Sequence, residues 1–325
     1  SCGSANQPAG YMDDSCAFAM RSLARVTSSH AYDQWMTVVL TTCAELPDGD
    51  EDGDSLVASL AARGVTARWQ VWNDPAASWG DELVVVRSTW DYTRDRDAFV
   101  DWAHSVPRLA NPADVIAWNS DKTYLHDLAD AGVPVVPTTF VAPGETAPLP
   151  VSGEFVLKPS IGAGSRGAGR FADDAVVAAQ AHMATLHDAG RIVLIQPYVA
   201  DVDTAGETAL IYLDGRFSHA IRKGAMLPPE MTNSLHELSA DRLYVFEQVQ
   251  AREASPAELA VGEQVIAVLR DRLGADLLYA RVDLLPTPAG PVLIELEITE
   301  PSLFLSFDDD ATDRFADAIT ARVSA

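Results

Sequence analysis

The sequence predicts a mixed α/β and α+β protein: an N-terminal parallel α/β domain, a small second domain and a C-terminal antiparallel-sheet domain. Three observations predict it. Apolar runs of strand length alternate with helix-period segments over residues 37–106, the order that folds into a parallel sheet with crossover helices. A glycine-rich stretch follows a short apolar run and precedes a helix-period segment within 155–196, the mark of a compact α+β unit. Two pairs of strand-like runs joined by turn residues, in 207–222 and 277–298, predict antiparallel hairpins.

Met36 is the expected beginning of the fold, and the β-branched run Thr37–Thr42 the first strand. Ser55–Arg63 reads as a helix, with Leu56, Val57 and Leu60 on one side and Gly64 as its stop. Val65–Trp72 and Leu83–Arg87 read as strands, the second almost wholly apolar and so expected to be buried on both faces. Asp95–Val106 reads as a helix, and Asn111-Pro112 marks a boundary. Ser120 can cap a helix running through Ala131, closed by Gly132 and Pro134. Phe155–Lys158 and Ile192–Gln196 read as strands around a loop, Ile161–Gly169, and a helix, Asp173–Ala189. Asp214-Gly215 between Glu207–Leu213 and Arg216–Arg222 is a two-residue hairpin signal. Residues 224–240 read as a long loop, and Pro256–Leu273 as a helix with Ser255 as cap and Glu258 completing a capping box. The final hairpin joins Leu277–Leu285 to Val292–Ile298. The expected division is 1–35 as a disordered or non-native extension, then domains at 36–115, 116–196 and 197–325.

The 325 residues carry 23 Lys+Arg against 47 Asp+Glu, a net charge of −24. That argues against nucleic acid or an anionic membrane as partner, since both need a basic surface to displace counterions. No apolar run approaches the roughly 20 residues that span a bilayer, and the apolar stretch Cys16–Met20 is too short for a secretory signal. Three cysteines give neither a disulfide framework nor zinc spacing, so a cytoplasmic protein is expected. A small molecule is the expected partner, and a homo-oligomer stays open. Only Lys122, Lys158 and Lys223 are lysines; coding bias toward arginine accounts for their rarity but not for their positions.

The last hairpin carries the most chemistry. Side chains alternate faces along a strand, so Tyr279, Arg281 and Asp283 share one face, and Glu295 and Glu297 share one face of the partner strand. If the two faces coincide, three carboxylates and an arginine converge; such hard oxygen ligands suit magnesium. A solvent-exposed face with its charges outward is the alternative. A second constellation is Lys158-Pro159 at a strand end, followed by a loop containing Gly162, Gly164, Gly167 and Gly169. Glycines free backbone N–H groups to turn toward an anion, and Ser165 and Arg166 add donors. The string fits G-x-G-x-x-G, but it does not open a helix directly, which makes it a weak dinucleotide motif; a plain surface loop is the alternative.

In order and spacing, Asp121-Lys122, Val156-Leu157-Lys158-Pro159 with its glycine loop, Gln196-Pro197-Tyr198-Val199, Asp283 and Glu295-x-Glu297 resemble the ATP-grasp superfamily of carboxylate ligases. The nearest resemblance is to glutathione-synthetase-like members, and among them to the O-ureido-serine cyclo-ligase, cycloserine-forming group. Arg87-Ser88-Thr89-Trp90-Asp91-Tyr92, Trp118-Asn119-Ser120-Asp121-Lys122 and Glu300-Pro301-Ser302-Leu303-Phe304-Leu305 carry that closer likeness, which covers roughly residues 37–310.

The resemblance implies an ATP-grasp architecture in which 116–196 is the lid. It implies ATP as cosubstrate, with Lys122, Lys158, Gly164, Ser165, Arg166 and Gly167 toward the phosphates and Gln196, Pro197, Tyr198 and Val199 as the hinge around adenine. It implies one or two Mg2+ ions on Asp283, Glu295 and Glu297, the last standing where the family usually has Asn. Arg222 and Arg281 would face the transferred phosphoryl group or acyl phosphate. Arg87, Ser88, Trp90 and Tyr92, just beyond a strand's C-terminal end where open α/β sheets place ligands, are expected at the substrate together with Ser302, ordinary packing being the alternative for Trp90 and Tyr92. The expected reaction is activation of an amino-acid-like carboxylate as an acyl phosphate for attack by an amine, within one molecule or between two. A nucleotide-binding regulatory or scaffold protein without turnover is the rival reading, which the carboxylate set Asp283, Glu295 and Glu297 argues against. His219, alone on a strand, reads as a structural residue rather than a base.

Overall fold

The computed structural model of the chain describes residues 36–229, 231–235, 248–274 and 277–325. The expectation for 1–35, and that for 230 and 236–240 of the long loop, lie outside the described residues.

Among the described residues, three sheets organise the chain. The first has the order β2-β1-β3, built from β1 (Met36–Thr42), β2 (Val65–Val71) and β3 (Leu83–Ser88), with β1 parallel to both neighbours. Helices α1 (Gly53–Ala62) and α2 (Arg96–Ser105) belong to this unit, which is the parallel β-α-β arrangement the alternating pattern predicts. Every residue of β3 is buried.

The predicted helix from Ser120 to Ala131 is instead two helices, α3 (Ala113–Asn119) and α4 (Tyr124–Asp130). The interruption has identifiable hydrogen bonds: Lys122 N–H donates to Ser160 O at 2.8 Å, and Asp121 Oδ1 accepts from Thr123 N–H at 3.0 Å. Ser120 ends α3, its hydroxyl accepting from Arg96 Nε at 2.9 Å. The break fixes Lys122 beside a strand end.

A four-stranded antiparallel sheet of order β4-β7-β5-β6 follows, from β4 (Thr139–Val141), β5 (Phe155–Pro159), β6 (Gly169–Phe171) and β7 (Val193–Pro197). Helix α5 (Val176–Asp188) packs on it through Ala179 and Leu186. Short strands β4 and β6 went unread because three residues give no period.

After the short helix α6 (Val202–Ala205), the third sheet has the order β10-β9-β8-β11-β12. Its strands are β8 (Glu207–Leu213), β9 (Arg216–Lys223), β10 (Gln250–Arg252), β11 (Tyr279–Leu285) and β12 (Val292–Glu297). One face, including Leu210, Tyr212, Val282 and Leu296, is covered by α7 (Pro256–Leu273) through Val261, Val265 and Leu269. The capping box that starts α7 is present: Ser255 N–H donates to Glu258 Oε2 at 2.7 Å and Glu258 N–H to Ser255 Oγ at 3.3 Å. Gly262 lets this helix lie directly against the Tyr212 side chain, where a Cβ would overlap the phenol.

The opposite face changes character along its length. At one end Ile211, Ile221 and Tyr279 join Val38, Leu40 and Val85 of the first sheet in a common core with α8 (Ala311–Val323). Ala311, Phe315 and Ile319, spaced by four, give α8 its buried face. At the other end the face is charged.

Candidate active site

The charged end is set by register. Glu207 lies opposite Lys223 across β8 and β9, Asp283 opposite Glu295, and Arg281 opposite Glu297 across β11 and β12. The polar faces of the last hairpin therefore coincide and turn inward: Arg281, Glu295 and Glu297 line a cavity of about 560 Å³ between the third sheet and the glycine-rich loop, and Asp283, 1% exposed, is buried without lining it. Arg281 Nε and Nη2 each donate to Asp283, both at 2.9 Å, and Nη2 donates to Glu297 Oε1 at 2.5 Å. Lys223 Nζ donates to Asp283 Oδ2 at 2.8 Å and is paired with Glu207. Lys122 Nζ donates to Gly162 O at 2.5 Å and lies 3.0 Å from Glu295 Oε1.

Charges packed this closely shift one another. Burial works against the Asp283 carboxylate, but Arg281 and Lys223 outweigh it and hold the group well below the usual carboxylate range. Burial likewise opposes the Glu295 carboxylate, and the ammoniums of Lys122 and Lys158 bring it below its ordinary value. Glu297 behaves oppositely: burial pushes it up to about 7 against the pull of Arg281, and Glu295 and Asp283 add to the rise. Burial pushes Glu207 to about 8 despite Lys223, and burial together with Glu297 pushes Glu300 to about 8. Burial lowers the Lys158 ammonium to about 8 although Glu295 pulls the other way.

The nucleotide-side candidates gather on the same cavity. Lys122, Lys158, Gly164, Ser165 and Arg166 line it, as do Gln196, Pro197, Tyr198 and Val199. Arg166 Nη2 donates to Trp90 O at 2.7 Å, tying the loop tip across to the first unit. Gln196 Nε2 donates to Thr138 Oγ1 at 2.8 Å, which fixes its amide. The Tyr198 ring lies under the Arg170 guanidinium, 3.5 Å from the ring centre, and Arg170 is in turn held by Glu154 at 2.6 Å. Gly167 does not line the cavity: its φ of +70° turns the chain beside the Pro159 ring, where a Cβ would sit 3.2 Å away.

Four further expectations need correction. Arg222 is turned away from the cavity, donating to Ala205 O at 2.6 Å and Thr204 O at 3.0 Å. The cause is a bulge between Ile211 and Tyr212: the turn pairs Leu213 with Arg216, but beyond the bulge the register has slipped by one, so Lys223 rather than Arg222 faces Glu207. Arg87 is fully buried in an ion pair with Asp50 at 2.9 Å. Ser88 is buried and bonded to Thr42 Oγ1 at 2.8 Å. Tyr92 packs against Phe99 with ring centres 5.0 Å apart. Arg87 and Ser88 belong to the interior of the first unit because β3 is buried on both faces, and Tyr92, on the short helical turn Tyr92–Arg94, joins that interior in a cluster with Phe99 and Trp102. Of the substrate candidates, Trp90 and Ser302 line the cavity.

Sequence reasoning missed Lys223, Glu207 and Glu300, which also line it. Glu300 and Ser302 lie on a segment whose consecutive carbonyls are each held by a side chain. Thr299 O accepts from Tyr279 Oη at 2.9 Å, Glu300 O from Trp90 Nε1 at 3.0 Å, and Pro301 O from Arg87 Nη1 at 3.3 Å. Ser302 O accepts from Arg281 Nη1 at 3.1 Å, while His219 Nε2 lies 3.0 Å from Leu303 O and 3.2 Å from Phe304 O and so carries the proton. Phe304 takes a left-handed φ of +51°, a costly conformation this clamp maintains. Arg87 and His219 thus act on the cavity wall through the backbone.

No group of three or more His, Cys, Asp or Glu side chains among the described residues converges as a metal cage. Magnesium does not require one, since it ordinarily takes one or two carboxylates and completes its shell with water and phosphate oxygens. Glu295 and Glu297 line the cavity and fit that donor set, each also meeting one cation, Lys122 and Arg281; Asp283, opposed to Glu295 in register but held on both oxygens by Arg281 and Lys223 and not part of the lining, fits it less well.

A parallel α/β unit, a small antiparallel sheet carrying a glycine loop and a larger antiparallel sheet with a charged end, meeting at one cavity, define an ATP-grasp carboxylate–amine ligase. Comparison with known proteins agrees and goes further. Residues 38–111 match the family model for the N-terminal domain of D-cycloserine synthetase DcsG. The cycloserine biosynthesis protein DcsG of Streptomyces lavendulae is 38% identical over 301 residues, covering 88% of this chain and 98% of the relative. The crystal structure of D-cycloserine synthetase DcsG superposes with a TM-score of 0.77 at 35% identity, over 88% of this chain and 99% of the other. A RimK-domain ATP-grasp protein from Sphaerobacter thermophilus (TM-score 0.61, 18% identity, 87% and 98% covered) shares the fold, as does the D-alanine–D-alanine ligase of Bacillus anthracis complexed with ATP (0.60, 15%, 89% and 98%). The chain belongs to the DcsG family of ATP-grasp ligases, and it is an ATP-dependent enzyme forming carbon–nitrogen bonds. No described helix is long and apolar enough to cross a membrane.

Proposed function

We propose that the enzyme closes a ring: one amino-acid-like molecule supplies both the carboxylate and the attacking nitrogen, as in the formation of cycloserine from O-ureido-serine. The observation that carries this is one cavity of about 560 Å³ holding Lys122 and Lys158 at one wall and Arg281, Glu295 and Glu297 at another, with Trp90 and Ser302 between the first unit and the third sheet. A carboxylate cannot expel oxide, so its oxygen must first attack the γ-phosphorus as the bond to ADP breaks. The nitrogen then attacks the acyl carbon, inorganic phosphate leaves, and the nitrogen loses its proton; with O-ureido-serine that nitrogen also carries a carbamoyl group, which a water molecule must cleave off as carbon dioxide and ammonia for cycloserine to result.

Lys122 and Lys158 neutralise the phosphates during the approach of two anions, and the loop N–H groups around Gly164 and Ser165 add donors. The hinge 196–199 receives adenine, and the 116–196 unit serves as the lid. Arg281, aimed between Asp283 and Glu297, stabilises the charge that develops on the transferred group. Magnesium, one or two ions at Glu295 with Glu297 and Asp283 beside it, would supply charge neutralisation at the phosphates. The test is incubation with ATP and O-ureido-serine, reading ADP and product mass. A product of cyclised mass supports ring closure, whereas turnover only when a separate amine is added shows intermolecular ligation.

A further inference from the structure

Glu300 lines the cavity, is 7% exposed, and has no hydrogen-bond or ion-pair partner among the described residues. Its situation differs from that of the neighbouring carboxylates. Asp283 is held by Arg281 and Lys223, Glu295 by Lys122, Glu297 by Arg281 and Glu207 by Lys223. A buried carboxylate beside other carboxylates is costly unless a cation reaches it, so the site lacks one positive charge at this point. The backbone that carries the group is fixed, because Trp90 Nε1 and the donors that follow it hold the carbonyls from Thr299 to Phe304. A cavity wall whose backbone is held ahead of binding spends little ordering entropy on a ligand.

We infer that Glu300 binds the ammonium group of an amino-acid substrate, as the spectator charge that stays positive while the carboxylate reacts. The inference rests on the ligase reading and deepens it. A nitrogen that attacks an acyl phosphate must be neutral, and a carboxylate beside it would favour its protonated, unreactive form. An ammonium that takes no part in the bond change gains from the same carboxylate throughout. Ring closure through a different nitrogen of the same molecule leaves the α-ammonium in that spectator position. Ser302, two residues on and in the same cavity wall, presents a hydroxyl to the same region.

The experiment compares amino acids with their des-amino counterparts as acceptors of the γ-phosphoryl group. O-ureido-serine and a panel of simple amino acids serve as the ammonium-bearing probes, with hydroxylamine added to trap acyl phosphate and ADP release as the readout. Wild type should prefer the ammonium-bearing member of a pair at least tenfold in kcat/KM. Glu300→Gln should lose that preference by raising KM for the amino acid, with ATP affinity and melting temperature close to wild type. Glu300→Asp, which keeps the charge on a shorter arm, should retain part of it. If wild type shows no preference, or the preference survives in Glu300→Gln, the assignment is overturned while the ligase reading stands. Absence of carboxylate-dependent ADP release with every probe takes both down. The wild-type comparison needs no variant, so poor folding of Glu300→Gln does not protect the proposal.

Discussion

Lys122 Nζ lies 3.0 Å from Glu295 Oε1 while donating to Gly162 O, so a single ammonium joins the third sheet to the glycine-rich loop. The nucleotide and metal halves of the proposed site are therefore coupled before any ligand arrives, and the first two predictions separate them.

Glu295→Gln conserves shape and removes only charge. It should lower kcat by about 100-fold or more, the scale of a lost electrostatic contribution to group transfer, while ATP affinity changes several-fold at most. Steady-state kinetics across a magnesium titration, with ATP binding measured by calorimetry, check this. Near-normal turnover at low magnesium would remove Glu295 from metal binding.

Lys158 lines the cavity and has no ion pair to lose among the described residues. Lys158→Ala should weaken ATP binding by about tenfold, near the 1.5–3 kcal/mol of a charge-assisted hydrogen bond, and leave the melting temperature within about 2 °C. An unchanged ATP dissociation constant would exclude a phosphate contact.

The bulge in the β8–β9 hairpin makes adjacent residues behave differently. Arg222→Ala should leave kcat and both KM values within about twofold, because its guanidinium serves the carbonyls of 204 and 205. Lys223→Ala leaves Asp283 and Glu207 short of a cation and should reduce kcat strongly, with stability falling by about 3–5 kcal/mol as for a broken buried pair. Equal effects of the two substitutions would mean that the register is not the one described.

His219 is buried, and burial lowers its pKa, with Leu303 O and Phe304 O opposing. A folded value below the unfolded value of about 6.5 means that the unfolded chain binds the extra proton. The stabilisation His219 provides is then complete above about pH 6.5 and is lost as pH falls through its folded value. The stability difference between wild type and His219→Gln should accordingly shrink between about pH 7 and 5, read by urea denaturation at each pH. A difference constant across that range would place the imidazole in a setting that does not change its proton affinity.

Much of the fold was legible because it is written in period: the β-branched run at 37–42, the capping box of α7, and the alternation that puts Arg281 and Asp283 on one face. The site was legible where one strand sufficed to describe it. It was not legible where the answer depended on a second strand's register, as at Arg222 and Lys223, since a bulge between Ile211 and Tyr212 has no sequence marker of its own. Arg87 shows another limit. An arginine at a strand end reads as a ligand contact, but Asp50 in a distant loop and Pro301 from the far end of the chain claim it first. Glu300 gave no signal beyond its place in a motif, because what sets it apart is the absence of a paired cation among the described residues.

All three lysines of the sequence, Lys122, Lys158 and Lys223, line the same cavity, and arginine is the only other strongly basic side chain. The chain is therefore labelled in advance for chemistry directed at primary amines. An acylating reagent meets side-chain amines only in the cavity walls, so the extent and site of its reaction report occupancy rather than general surface exposure. A lysine-specific protease likewise has only Lys122 and Lys223 to cut after, since Pro159 protects the bond following Lys158, and both are buried. Cleavage after either one times the opening of the cavity.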